Sequence, residues 1–468
     1  MLLSDLKPLK CILQTLVPEE EPRYITKSNY EFDFVESCLH LMYEYIDENP
    51  TVISEPEFEE EMMADVKELF TIFFEGDLFF NDSAEEEIDE IIDITTTMFY
   101  DQIIPRRAEI GTYETHRSTK QIRSLEKQIK HLSNLDQPEQ RTPEWYEFRH
   151  NLITASNAYK AFENQNVQNQ LIYEKCQPLF IPQPEIESAP VNTNSTLHWG
   201  QKYEPLSVMI YEDKYETKVG DFGCIQHSQF LFLGASPDGI NIDKKTTRYG
   251  RMLEIKNIVN REINGNPKKE YWIQMQLQME TCNLDECDFL ETKFVEYNDR
   301  EEFTEDVEDE DNITISKNDE LKGIIIQFNK EGKPFYVYKP IELTEKNDIE
   351  EWEEETLEYY QSEEFKYTYV KFIYWKLEEI SCVLVMRNKK WFQDNIEQLQ
   401  NIWSIIEKER KTGHSHRAPN KRARKDVEYS KLSDVNSNNC FLNIKDGKTT
   451  INVIKIRTES FDETKAIM

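Results

Sequence analysis

Between Gly234 and Lys256 the chain reads Gly-Ala-Ser-Pro-Asp-Gly, a connecting turn, and then Leu-Glu-Ile-Lys. In an extended strand, side chains alternate between faces and residues two apart stand about 6.5–7 Å from each other. Glu254 and Lys256 therefore share one side, while Leu253 and Ile255 turn inward. If the preceding strand delivers Asp238 beside them, Asp238 and Glu254 form a paired carboxylate site whose mutual repulsion a divalent cation relieves. Oxygen-only ligands favour Mg²⁺ or Mn²⁺ over zinc. Lys256 then holds or polarises a water on the cation, or stabilises charge on a phosphate oxygen during attack. Such a site hydrolyses phosphodiester bonds. Taken alone, Glu-X-Lys is far more often an ordinary exposed strand pair, so its neighbours must decide.

The elements that would position these groups follow from hydrophobic periodicity. A helix carrying Trp199, Tyr203, Leu206 and Ile210 precedes the motif, and Pro205 should kink it or begin its regular part. Short strands are expected over Asp221 to His227, Phe230 to Ala235 and Arg251 to Asn257, then a helix over Glu270 to Cys282 and a strand over Asp288 to Tyr297. Gln274 and Gln278 lie one helical turn apart on that second helix. Gln276 and Gln278 fit equally the polar face of an amphipathic helix.

Taken in order, Trp199-Gly200 with Glu204, Ser-Pro-Asp-Gly, Leu-Glu-Ile-Lys and the glutamine helix resemble the YqaJ-like viral recombinase family, relatives of phage lambda exonuclease in the PD-(D/E)XK nuclease superfamily. The resemblance covers roughly residues 141 to 297. It implies that Asp238 and Glu254 bind metal together with the backbone carbonyl of Ile255, that Lys256 is the catalytic lysine, and that Glu204 binds a second metal or its water. By the same resemblance Gln274 closes the site beside the lysine. Upstream, Thr142-Pro143-Glu144-Trp145 through Arg149, then Ile153-Thr154-Ala155-Ser156, is similar to the segment that opens the family domain, where an arginine and a serine bind the phosphate at a 5′ end. Arg149 and Ser156 stand at those places, and a guanidinium with a hydroxyl suits a terminal phosphate. Arg149 could instead pair with Glu144 or Glu147 on its own helix. The phage enzyme has a further carboxylate on the strand before Ser-Pro-Asp-Gly, whereas His227-Ser228-Gln229 offers none.

Composition fits a folded chain of several domains: 468 residues, 38% hydrophobic and 31% charged, with 7 Trp, 23 Tyr and 25 Phe. The absence of a long apolar run or secretory pattern points to an intracellular protein with no membrane partner, in the cytoplasm or a viral factory, or in the nucleus if the basic run Lys421, Arg422, Arg424 and Lys425 is a signal. The net charge of −35 argues against nucleic acid until its distribution is considered. Residues 141 to 300 carry 17 Lys and Arg against 23 Asp and Glu, so most of the acidity lies in the flanks. On a helix over Ser118 to His131, Arg117, Lys120, Arg123, Lys127 and Lys130 line one side, as a rail for phosphates or, more simply, as a solvated face. Eight scattered Cys suit buried thiols. Cys282 and Cys287, with Cys176 and Cys224 upstream, lack the clustered spacing of iron–sulfur nucleases, so no such cluster is expected.

The expected architecture is an α+β, restriction-endonuclease-like core, a mixed sheet flanked by helices, in residues 141–300. A helical acidic domain (1–140) precedes it, and a C-terminal extension with a hairpin and a helix (301–412) and a basic then polar tail (413–468) follow. Within the first domain the stretch Glu55 to Glu90, with Phe70, Phe73, Phe74, Phe79 and Phe80, is expected to form buried helix faces with acidic outer sides. Gln177 to Thr196 reads as a long loop, and Asp299 to Asp311, with nine carboxylates and one Arg, as an exposed loop. The resemblance implies a deoxyribonuclease using Mg²⁺ or Mn²⁺, two per site, that degrades double-stranded DNA from 5′ to 3′ in recombination, repair or replication. A homo-oligomeric ring and a single-strand annealing protein as partner come with it. The alternatives are an endonuclease or single-strand nuclease of the same superfamily, or a catalytically silent module that binds DNA or protein.

Overall fold

The computed structural model of the chain describes residues 31–74 and 82–419, apart from 110, 115, 141, 180–191, 194 and 310, together with 443–445 and 448–450. The basic run at 421–425, most of the expected loop at 177–196, and Phe79 and Phe80 lie outside the described residues.

Three helices come first among the described residues: α1 (Glu31–Glu48), α2 (Phe58–Phe74) and α3 (Asp82–Gln102). Phe34, Cys38, Met42, Phe58, Met62, Phe70, Ile88 and Phe99 are buried between them, with the carboxylates outward. α4 (Thr119–Ser133) starts at a capping box in which Ser118 and Gln121 satisfy each other's backbone N–H groups. α5 (Pro143–His150) has Thr142 as its N-cap and Pro143 in its first turn, where a missing N–H costs nothing.

Next come β1 (Ile153–Thr154), α6 (Ala155–Ala158), α7 (Gln165–Cys176) and α8 (Thr196–Lys214). The short strands β2 (Val219–Gly220), β3 (Ile225–Gln226), β4 (Leu233–Ala235) and β5 (Gly239–Asn241) lead to β6 (Met252–Asn257), then α9 (Lys269–Cys282) and β7 (Glu286–Glu296). Beyond them lie α10 (Arg300–Glu305), β8 (Lys322–Lys330), β9 (Lys333–Tyr338), α11 (Lys346–Gln361), β10 (Thr368–Met386) and α12 (Lys389–Thr412). A separate unit holds the antiparallel pair β11 (Asn443–Lys445) and β12 (Lys448–Thr450).

The main sheet is mixed, in the order β2-β5-β6-β7-β10-β8-β9, and a smaller one runs β1-β4-β3. β6 and β7 are parallel, joined through α9, whereas β10 is antiparallel to both β7 and β8. The C-terminal hairpin thus extends the sheet that carries Leu-Glu-Ile-Lys. Among the described residues no helix is long and apolar enough to cross a membrane.

Two sequence expectations need correction. α8 begins nine residues before Pro205, so the proline lies inside the helix and does not start it. The acidic stretch 299–311 is not all loop: the Asp299 side chain accepts from the Glu302 N–H, Phe303 is buried, and a cap with one apolar anchor makes the short helix α10.

Candidate active site

The antiparallel register Gly239 to Leu253 places Asp238, the next residue back, across from Glu254. Asp238 Oδ2 accepts a 2.7 Å hydrogen bond from the Ile255 N–H, which holds the carboxylate at the edge of β6 where β5 has ended. N–H and C=O of one strand residue point the same way, so the Ile255 carbonyl faces the Asp238 side as well. Gly239 is required for this close pairing, because a Cβ there would lie 2.1 Å from Val219 Cγ1.

Alternation along β6 divides the labour. Leu253 and Ile255 pack towards α8 with Tyr211 and Leu290. Glu254, fully buried, turns to α9. Its Oε1 accepts from Gln274 Nε2 at 2.7 Å and pairs with the Lys256 ammonium, while its Oε2 accepts from Gln278 Nε2 at 2.7 Å. These bonds use three of the roughly four acceptor directions of a carboxylate, leaving one for a cation. Gln278 also donates to the Ser236 carbonyl at 3.1 Å, tying α9 to Ser-Pro-Asp-Gly. The Lys256 ammonium lies 4.8 Å from the centre of the Tyr271 ring.

Asn257, the residue after the lysine, anchors α8: it accepts from Ser207 and Thr292, both at 2.7 Å, and donates to the Gly200 carbonyl at 3.2 Å. One turn after Gly200, Glu204 is exposed and close enough to act on the charge of Asp238. Burial, then Glu254 and Glu204, push the Asp238 carboxyl well above the usual carboxylate range, against the pull of Lys256 and the Ile255 N–H. Burial works against the charge of Lys256, but Glu254 and then Asp238 outweigh it and hold the ammonium above the ordinary lysine value. One ammonium sits between two carboxylates, Asp238 and Glu254, and Glu204 lies within electrostatic reach of Asp238. That excess of oxygen donors, with the Ile255 carbonyl on the same edge, fits a divalent cation.

Arg149 does not pair with Glu144 or Glu147. Its guanidinium stacks over Trp145, 4.7 Å from the ring centre, and its Nη1 lies 3.4 Å from Ser236 Oγ, two residues before Asp238. Ser156 is exposed at the start of α6, with its hydroxyl 3.3 Å from Thr154 Oγ1. No hydrogen bond joins it to Arg149 among the described residues. His227, where the phage enzyme's further carboxylate has no counterpart, is a turn-maker whose Nδ1 accepts from Gln229 and Phe230 N–H groups, each at 3.1 Å.

Sequence reasoning left Gln278 open between the motif and a polar helix face, and did not single out Ser236. Gln278 could have been found by its spacing of four from Gln274, which puts both amides on the face that reads Glu254. Gln276, by contrast, bonds the Met386 carbonyl and the Asn388 N–H and is structural.

Fold and site together define a mixed α/β core with a carboxylate–lysine cluster at the edge of its main sheet. Residues 144–285 match the model of the YqaJ-like viral recombinase domain. Over 342 residues the chain is 30% identical to an uncharacterized protein of Acanthamoeba polyphaga mimivirus; the match covers 64% of this chain and 60% of the relative, so the chain spans about three fifths of that relative's length. Among solved structures, it is similar to an alkaline exonuclease from Laribacter hongkongensis, at 19% identity and a TM-score of 0.33 over 58% of this chain and 95% of that one. The same exonuclease in complex with dAMP gives 18% identity and a TM-score of 0.31 with the same coverage.

Proposed function

We propose that this chain hydrolyses DNA phosphodiester bonds with Mg²⁺ or Mn²⁺, working 5′ to 3′ from the end of a duplex in recombination, repair or replication. The observation that carries this reading is the meeting of Asp238, Glu254 and Lys256 at one strand edge. Asp238, Glu254, the Ile255 carbonyl and Glu204 would hold the cation, or two of them. A divalent cation bound there supplies neutralising charge at the phosphate and lowers the pKa of an attacking water.

The chain's own groups do the rest. Gln274 and Gln278 fix the orientation of Glu254 through its two oxygens. Lys256, charged and half-buried beside the reacting position, stabilises the negative charge that develops on the phosphate. Arg149, held by Trp145 next to Ser236, with Ser156 on the following helix, receives a 5′-terminal phosphate. A homo-oligomer enclosing the duplex and a single-strand annealing partner accompany this reading.

The test compares linear, covalently closed circular and 5′-dephosphorylated duplex DNA with Mg²⁺ or Mn²⁺. The expected result is rapid loss of the linear 5′-phosphorylated duplex, slow loss of the dephosphorylated one and survival of the circle. Cutting of the circle would replace the exonuclease by an endonuclease, and no cleavage of any substrate would remove the proposal.

A further inference from the structure

Helix α4 is unusual in a chain with a net charge of −35. Lys120, Arg123, Lys127 and Lys130 are all exposed on it, and none of the four makes an ion pair among the described residues. At about 100° per residue they fall within a sector of roughly 80°. The one acid on the helix, Glu126, is paired with Lys244 from the turn before β6. Charged side chains on the core's other elements mostly meet a carboxylate, as Lys160, Lys218, Lys269 and Arg387 do.

The helix is also fixed to the core. Ile129 and Leu132 are buried, and Leu125 packs on Gly250, whose positive φ of 82° brings the turn close. Gln128 Nε2 donates to the Cys282 carbonyl at 2.7 Å, and Arg117, just before the cap, pairs with Glu286 at 2.5 Å. Beside α4, between it and the C-terminal end of α9, lies a cleft of about 710 Å³ lined in part by Gln128, His131, Gln226, Gln229 and Arg387.

We propose that the cationic face of α4 is a docking strip for the phosphate backbone of a DNA duplex whose end lies in the carboxylate site. The four charges span about 15 Å along the helix axis. One DNA strand presents a phosphate every 3.4 Å or so of duplex axis, so about four phosphates match four cations. α4 meets α9 at Cys282, eight residues or about 12 Å along the helix from Gln274. A duplex at the site reaches α4 within about four base pairs. The strip supplies affinity that the acidic site and flanks cannot, and it plays no part in the chemistry.

This inference rests on the nuclease reading, and its test separates the two. The variant K120Q/R123Q/K127Q/K130Q keeps helix-forming residues on an exposed face and is expected to melt like the wild type. Binding of a 30-base-pair duplex, followed by fluorescence anisotropy from 50 to 200 mM salt, should show a log–log salt slope shallower by about 3–4 than that of the wild type. In cleavage assays KM should rise about tenfold or more while kcat at saturating DNA stays unchanged. An unaltered slope and KM, as expected if the face meets only water or an acidic protein, overturns the strip, and so does a fall in kcat equal to the rise in KM. A wild-type protein that binds DNA with the steep slope but never cleaves it would sink the nuclease reading and leave the strip standing.

Discussion

An ionic cluster lies at each end of strand β6, and the two are built on opposite principles. At the N-terminal end, Arg251 bonds Glu286 at 2.9 Å and Asp288 at 3.1 Å, Arg248 pairs with Asp288, and Arg117 with Glu286. Tyr211 donates to Asp288 at 2.6 Å, and Thr112 donates to it at 2.7 Å while accepting from both Arg248 and Arg251 at 2.9 Å. Three guanidiniums answer two carboxylates, and the cluster is closed. Three to five residues further along the chain the balance reverses, with Lys256 alone beside Asp238 and Glu254 and with Glu204 near Asp238. The first cluster holds the segment after α3 to the sheet. The second is left short of positive charge, so its carboxylates repel one another.

That contrast can be broken at either end. The largest effect is expected for Glu254→Gln and Lys256→Ala, which should lower cleavage of linear duplex DNA by a factor of about 10³ or more, roughly 4 kcal/mol in barrier height. Circular dichroism melts of both variants should stay cooperative. Arg251→Ala should act the other way round: it leaves Asp288 and Glu286 buried without their main partner and should cost about 3–5 kcal/mol in urea unfolding, which Mg²⁺ does not restore. Arg149→Ala should leave cleavage of dephosphorylated ends unchanged and reduce the preference for 5′-phosphorylated ends about tenfold, close to 1.4 kcal/mol. The smallest change sharpens the contrast most. Asp238→Asn removes a repelling charge and should stabilise the cation-free protein by on the order of 1 kcal/mol at neutral pH, whereas any loss of a carboxylate from the Arg251 cluster destabilises it.

Much of the reactive end was legible in the sequence because its logic is local. Alternation put Glu254 with Lys256, and the family resemblance put Gln274 beside the lysine. The pairing of Asp238 with Glu254 rests on the register of β5 with β6, which stayed a condition in the sequence because three residues of strand at Gly239–Asn241 leave little periodicity to read. The arginine cluster was not legible at all. Thr112, Arg251 and Asp288 lie far apart in sequence, and each alone reads as a surface residue. Nor did periodicity reveal that β10 pairs with β7, since nothing in an apolar strand names its neighbour. Gln278 was passed over because a polar residue on an amphipathic helix has solvent as its default partner, and only the fold shows that this face is buried.

The central claim is that Asp238 and Glu254 share a divalent cation, and calorimetric titration of the DNA-free protein with Mn²⁺ tests it most directly. Saturable heat at one or two ions per chain, abolished in Glu254→Gln and in Asp238→Asn while Arg149→Ala binds normally, is the predicted result. Equal Mn²⁺ binding in the wild type and both carboxylate variants, or none in the wild type, would contradict it.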